Sequence, residues 1–91
     1  MRRINFTARF RKDFKRVQKT HSSIQTELEP VLNMLIEDVP LPPKNRDHAL
    51  RGEWVGFRDC HIRPDLVLIY RKSEPLVLDL ARLGSHSELF E

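Results

Sequence analysis

Three histidines, His48, His61 and His86, together with Asp65 and Arg82, are the residue types in this chain that suit proton transfer and anion stabilisation at neutral pH. Such a set has the ingredients for metal-free RNA cleavage. The 2′-OH must lose a proton as it attacks the adjacent phosphorus, the leaving 5′-oxygen must gain one, and the phosphorane-like transition state needs positive charge. An imidazole with an unperturbed pKa of about 6.5 serves both transfers. A permanently charged, planar guanidinium suits the phosphate oxygens. Asp65 could fix a histidine tautomer or act as the base itself, and Phe90 could stack on an unpaired base.

Each residue also has a plainer reading. Lone histidines are commonly surface or hydrogen-bonded core residues, and His21, away from the others, is read that way. Asp65 follows Pro64 and suits a turn; Arg82 could close a surface ion pair; Phe90 could cap a core. A zinc site of three histidines and a carboxylate is chemically possible, yet no HxxxH-type spacing supports it. Spacing alone leaves enzyme and binding module open.

The elements that must position these residues are legible in outline. Arg3 to Phe6 reads as a short strand. Thr7 is a candidate N-cap for a first helix to about Lys19, with Phe10, Phe14 and Val17 at helical spacing. Ile24, Leu28, Val31, Leu32 and Leu35 mark a second helix. Its start is open: Thr26-x-x-Glu29 resembles a capping box that would put Pro30 in the first turn, or the helix begins near Ser23 with a kink at Pro30. Pro40, Pro42 and Pro43 end it, and a loop carrying His48 runs to Gly52. Strands are then expected at Glu53 to Ile62, Leu66 to Lys72 and Leu76 to Leu83, with short turns that make neighbours antiparallel.

This β-α-α-β-β-β order describes an α+β fold, a small sheet with a C-terminal antiparallel meander and two helices on one face. If the first hairpin turns at Arg63-Pro64, His61 and Asp65 face each other across it. The third strand of the meander ends at that same edge and brings Arg82 and His86. His48 does not follow from strand directions, although its loop, at up to roughly 3.3 Å per residue, could cross over. Strict alternation puts Arg82 on the apolar face of Leu76, Leu78 and Leu80, so either a bulge re-aims it or the core ends there.

A length of 91 residues fits one domain, 1–91, with a modest core. The apolar runs are short, so neither a signal peptide nor a membrane span is expected, and the expected location is the cytoplasm. The one cysteine, Cys60, rules out an internal disulfide and reads as a small hydrophobe in a strand. A net charge of +3 conceals an asymmetry: Arg2, Arg3, Arg9, Arg11, Lys12, Lys15, Arg16 and Lys19 face only Asp13 in the first twenty residues. A basic end suggests a polyanion partner or simply a solvated helix face.

DHALRGEWVGFRDCHIRPDLVLIY, residues 47–70, and ARLGSHSELF, residues 81–90, resemble the YafQ branch of the RelE toxin superfamily, ribosome-dependent messenger RNA interferases of bacterial type II toxin-antitoxin modules. The joint pattern of histidine before L-x-G, R-D-x-H-x-x-P-D and G-S-H-x-x-L-F is specific, where any one piece would be weak. The resemblance implies metal-independent cleavage of messenger RNA in the ribosomal A site, with no cofactor. It also implies neutralisation by a DinJ-like antitoxin with an acidic toxin-binding segment, through which alone operator DNA would be bound. Carried over position by position, the family's site falls on His48, His61, Asp65, His86 and Phe90, with Arg82 as the phosphate-stabilising arginine and Asp59 supporting. Leu66 stands where some members have tryptophan, which bears on codon preference. Arg11, Lys12, Lys15, Arg16 and Lys19 would then contact ribosomal RNA. The rival readings are a non-catalytic relative acting as antitoxin-binding corepressor and a metal-dependent nuclease.

Overall fold

Leu66 to Tyr70 offers apolar side chains to both sides at once, and a strand of that kind has to lie inside a sheet covered on both faces. The computed structural model describes residues 1–90 and places it there. In chain order the elements are β1 (Arg3–Phe6), α1 (Ala8–Thr20), α2 (Ile24–Ile36), β2 (His48–Ala49), β3 (Arg58–Arg63), β4 (Leu66–Arg71), β5 (Val77–Gly84) and α3 (His86–Phe90), with 3-10 turns at Pro43–Asn45 and Gly52–Trp54. The fold is α+β, and the five-stranded sheet runs β1-β5-β4-β3-β2 with β4 at its centre. The β3, β4 and β5 strands form the expected antiparallel meander, and β1 pairs in parallel with β5.

Leu66, Leu68 and Tyr70 share a core with Cys60, Leu78, Leu80 and Leu83 and with the apolar stripes of α1 and α2. Val67 and Ile69 point the other way, beneath Leu89 of α3 and beside Leu50, Trp54, Phe57 and Ala81. Cys60 is wholly buried in the larger core, where burial pushes its thiol pKa up and keeps it inert.

The first helix begins as expected: Thr7 Oγ1 accepts from the Phe10 amide at 3.2 Å. The second starts at Ile24 after Ser23, so Pro30 lies in its interior. The Thr26-x-x-Glu29 box is not used; Ser23 Oγ donates to Glu27 at 2.6 Å instead. An interior proline costs about 3 kcal/mol, but Ile24, Leu28, Val31 and Leu35 are all buried. At about 1.5–3 kcal/mol each, that burial exceeds the penalty.

Four boundaries depart from expectation. The strand expected from Glu53 begins only at Arg58, because Gly56 takes a φ of 92° and Gly52–Trp54 forms a 3-10 turn. The preceding loop is not featureless, since His48–Ala49 pairs with β3 as a two-residue edge strand. Asp65 is not a strand residue opposite His61: the register pairs His61 with Val67, with an irregularity between His61 and Arg63, and leaves Pro64-Asp65 as the turn. The C-terminal segment forms α3, whose start is a capping box: the Ser85 amide donates to Glu88 Oε1 at 2.9 Å and the Glu88 amide to Ser85 Oγ at 3.2 Å.

The alternation conflict at Arg82 is resolved by a bulge. Tyr70 pairs with Leu80 but Ile69 with Arg82, so Ala81 is the extra residue. On its β1 side no strand covers β5 beyond Leu80, and α1 seals that edge with side chains: Asp13 Oδ2 accepts from the Leu83 amide at 3.0 Å and Arg16 Nη2 donates to the Leu83 carbonyl at 2.9 Å.

Candidate active site

Asp59 and His61 alternate with Cys60 on β3. Since Cys60 belongs to the core beneath α1 and α2, the other two face the opposite side of the sheet. His48 is in register with Asp59 and joins them. The residue before His48 is fixed from below: the Asp47 carboxylate accepts from the hydroxyl of fully buried Tyr70 and from Arg58 Nε and Nη2 at 3.3 and 3.2 Å. At the far end of β3, Asn45 Nδ2 donates to the His61 carbonyl at 2.8 Å, closing the strand edge that β2 leaves open.

Each histidine is held through one ring nitrogen. His48 Nδ1 lies 2.9 Å from the Arg46 carbonyl, His61 Nδ1 3.1 Å from the Pro64 carbonyl, and His86 Nδ1 2.7 Å from Asp65 Oδ1. All three partners are oxygens that can only accept, so the network assigns the proton to Nδ1 in every case and leaves Nε2 as the working atom. Asp65 also accepts from the His86 amide at 3.1 Å, which ties the β3–β4 turn to the start of α3. The side-chain bond from His86, reinforced by that amide, holds the Asp65 carboxyl below its ordinary pKa. The His61 and His86 rings stand 5.1 Å apart, and the Phe90 ring, 40% exposed, is 6.1 Å from His86.

Asp59 is the unusual member. It is buried, its Oδ1 lies 3.1 Å from His48 Nδ1 but outside hydrogen-bonding geometry, and that oxygen has no other partner among the described residues. Burial pushes its pKa up, and the surrounding charges of His48, His61 and His86 only partly pull it back.

Arg82 stands in the same cross-strand row, beyond Ile69, but its guanidinium is taken: Nε and Nη2 donate to Asp13 at 2.6 and 3.1 Å. The structure therefore brings His48, Asp59, His61, Asp65, His86 and Phe90 together and leaves Arg82 bonded to α1. Among the basic residues of α1, Arg16 is bound to Asp13 and Glu88, and Arg11 lies over the Phe6 ring with its Nε on the Phe6 carbonyl. Lys12, Lys15 and Lys19 are exposed. His21 lies outside the cluster, accepting from Arg63 Nη1 at 3.1 Å; Arg63 in turn grips Glu27, whose pKa falls to about 2. The Pro64 and Arg46 carbonyls could not be read from side-chain types. The Ser85-x-x-Glu88 signature could have announced α3.

Residues 2–91 match the family described as bacterial toxin of type II toxin-antitoxin system, YafQ. This chain belongs to the YafQ family. The mRNA interferase toxin YafQ of Escherichia coli K12 is 39% identical over 90 residues, spanning 98% of this chain and 96% of that protein. The crystal structure of YafQ from Escherichia coli BL21(DE3) superimposes with a TM-score of 0.89 at 36% identity over the whole of both chains. YafQ in the Escherichia coli DinJ-YafQ complex gives 0.88 at 37% identity, again over the whole of both chains. The YafQ-family chain is thus a toxin of a type II toxin-antitoxin system and an endoribonuclease of the mRNA interferase kind. Among the described residues no group of three or more His, Cys, Asp or Glu is gathered to hold a metal ion, and no helix is long and apolar enough to cross a membrane.

Proposed function

We propose that this toxin cleaves messenger RNA in the A site of the ribosome by metal-independent acid-base transfer, and that a cognate DinJ-like antitoxin neutralises it. The observation that carries the mechanism is the common anchoring of the histidines through Nδ1, with His61 and His86 rings 5.1 Å apart. Two imidazoles that close, each with Nε2 turned away from its anchor, can serve a single phosphodiester: one, neutral, takes the 2′-OH proton on Nε2, and the other, as the imidazolium, gives its Nε2 proton to the leaving 5′-oxygen. His86, paired with a carboxylate, is favoured in proton transfer, while His48 and Asp59 set the charge around it. Phe90 stacks on an unpaired base. Arg82 reaches phosphate only by exchanging Asp13 for it.

The antitoxin reading rests on the complex known for the Escherichia coli relative. The operon's operator would be bound only through the antitoxin.

Inducible expression of the parent and of His86→Ala in bacteria, with primer extension on a translated reporter message, tests the reading. Growth arrest with in-frame cuts for the parent alone is expected, and toxin stripped beforehand with chelator and then freed of it should still cut messages on intact ribosomes. Equal behaviour of parent and variant would favour a non-catalytic corepressor. Loss of cleavage by the stripped toxin would favour a metal-dependent nuclease.

A further inference from the structure

A groove of about 700 Å³ opens beside His61, between α2 and the 3-10 turn at Pro43–Asn45. Its volume falls within the roughly 300–1,000 Å³ of sites that hold small ligands. Val31, Met34 and Ile62 are among its apolar lining residues, and Lys44 and Arg46 among its cations. Arg63, also in the lining, is neutralised by Glu27, which leaves that carboxylate committed. Lys44 and Arg46 are exposed, and among the described residues their side chains make no ion pair or hydrogen bond.

The turn that carries these two cations is not loosely placed. Asn45, itself buried, donates to the His61 carbonyl at 2.8 Å, and the Arg46 carbonyl holds His48 Nδ1 at 2.9 Å. Arg46 adopts a left-handed φ of 47°, a conformation that a residue with a Cβ seldom takes without a surrounding that imposes it. The same short segment thus sets two of the three histidines and presents two unpartnered cations next to them. An apolar surface beside positive charge, reaching the sheet edge where the His61 backbone lies while the histidine rings face the other side, is the chemistry that holds one nucleotide of a single strand wrapped around that edge: base on the apolar residues, phosphate on the cations.

Resting on the ribonuclease reading above, we infer that the groove between α2 and residues 42–46 is a subsite for the nucleotide flanking the scissile phosphate, with Lys44 and Arg46 on that nucleotide's own phosphate and Met34 and Ile62 under its base. These residues bind and position the strand; the proton transfers stay with the histidines.

The test pairs changes in protein and message in a reconstituted translation assay. Lys44→Gln/Arg46→Gln should raise the toxin concentration giving half-maximal cleavage by about tenfold. Lys44→Gln alone, at an exposed and unpartnered side chain, guards against a folding effect and should give part of the same rise with an unchanged melting temperature. A message with a methylphosphonate in place of one flanking phosphate should cost the parent a similar factor and the double variant nothing more, because both remove the same contact. Penalties that add at every neutralised phosphate, or parent-like behaviour of the double variant, would overturn the subsite. So would loss of antitoxin binding with cleavage untouched, which would make the groove an antitoxin seat. A parent that cuts no message at all would instead remove the ribonuclease reading, and the subsite with it.

Discussion

Burial disfavours the ionised form of Asp59, and its unpartnered Oδ1 receives no hydrogen bond in return. With its folded pKa raised, Asp59 contributes stability below the unfolded value of about 3.9, and that contribution is lost as pH rises through the folded one. At neutral pH the carboxylate therefore costs the fold something, and Asp59→Asn should recover it: a gain of about 1 kcal/mol in unfolding free energy at pH 7 and none at pH 3. Urea unfolding at the two pH values measures it. Cleavage by the same variant should fall at least about tenfold, since the charge among the histidines disappears. A variant that is neither more stable nor less active would mean that Asp59 is only a packed strand residue. Among single residues, the histidines and Asp65 could be found by type. Asp59 as a charge without a partner could not, because what sets it apart is burial, which follows from the register of β3 against β4.

Elements decide what Arg82 does. The bulge at Ala81 carries Arg82 out of strict alternation, and its guanidinium reaches Asp13, which also holds the Leu83 amide and Arg16. Burial alone would raise the Asp13 pKa, but hydrogen bonds from Arg82, the Leu83 amide and Arg16 outweigh it and the net direction is down. Asp13 therefore stabilises the fold above its unfolded pKa of about 3.9, and the contribution fades as pH falls through the folded value. Arg82→Ala should destabilise by about 2–3 kcal/mol, less than a fully severed buried pair because Arg16 remains. Arg82→Lys should recover most of the stability but not the two-pronged bond. Thermal melts beside cleavage rates separate the roles: full melting temperature with lost cleavage in Arg82→Lys would mark a phosphate contact, and parallel losses a strut between α1 and β5. The long periodic elements were legible in sequence because each buries a stripe or a run that repeats. The short ones were not: β2 has two residues and no period, and EWVGFRDC alternates like a strand until Gly56 turns the backbone to positive φ. Burial of the α2 stripe overrode the helix-breaking signal of Pro30.

At the scale of the whole molecule, the exposed cations of α1 and the histidines occupy opposite sides of one sheet. The α1 helix packs on the face of the larger core, exposing Lys12, Lys15 and Lys19, while His48, Asp59 and His61 face away. The order β1-β5-β4-β3-β2 sets these two surfaces, and it depended on the parallel pairing of β1 with β5, which no local pattern announces. With extents of 34 × 30 × 28 Å, the molecule is several times thicker than the screening length of about 8 Å at physiological salt. Charges exposed to salt water are screened over that length, so the lysines act chiefly on what touches them. A toxin inserted into an RNA cleft would meet nucleic acid on both sides, message at the histidines and ribosomal RNA at α1. Lys12→Glu/Lys15→Glu should then weaken cleavage on ribosomes and flatten its dependence on log salt by about 1.4–1.8, the loss of two phosphate contacts. The pH dependence of single-turnover cleavage at saturating toxin should stay where it was. A shifted pH profile would show that charge on α1 reaches the site by a structural route, and an unchanged salt slope would show that α1 meets water rather than RNA.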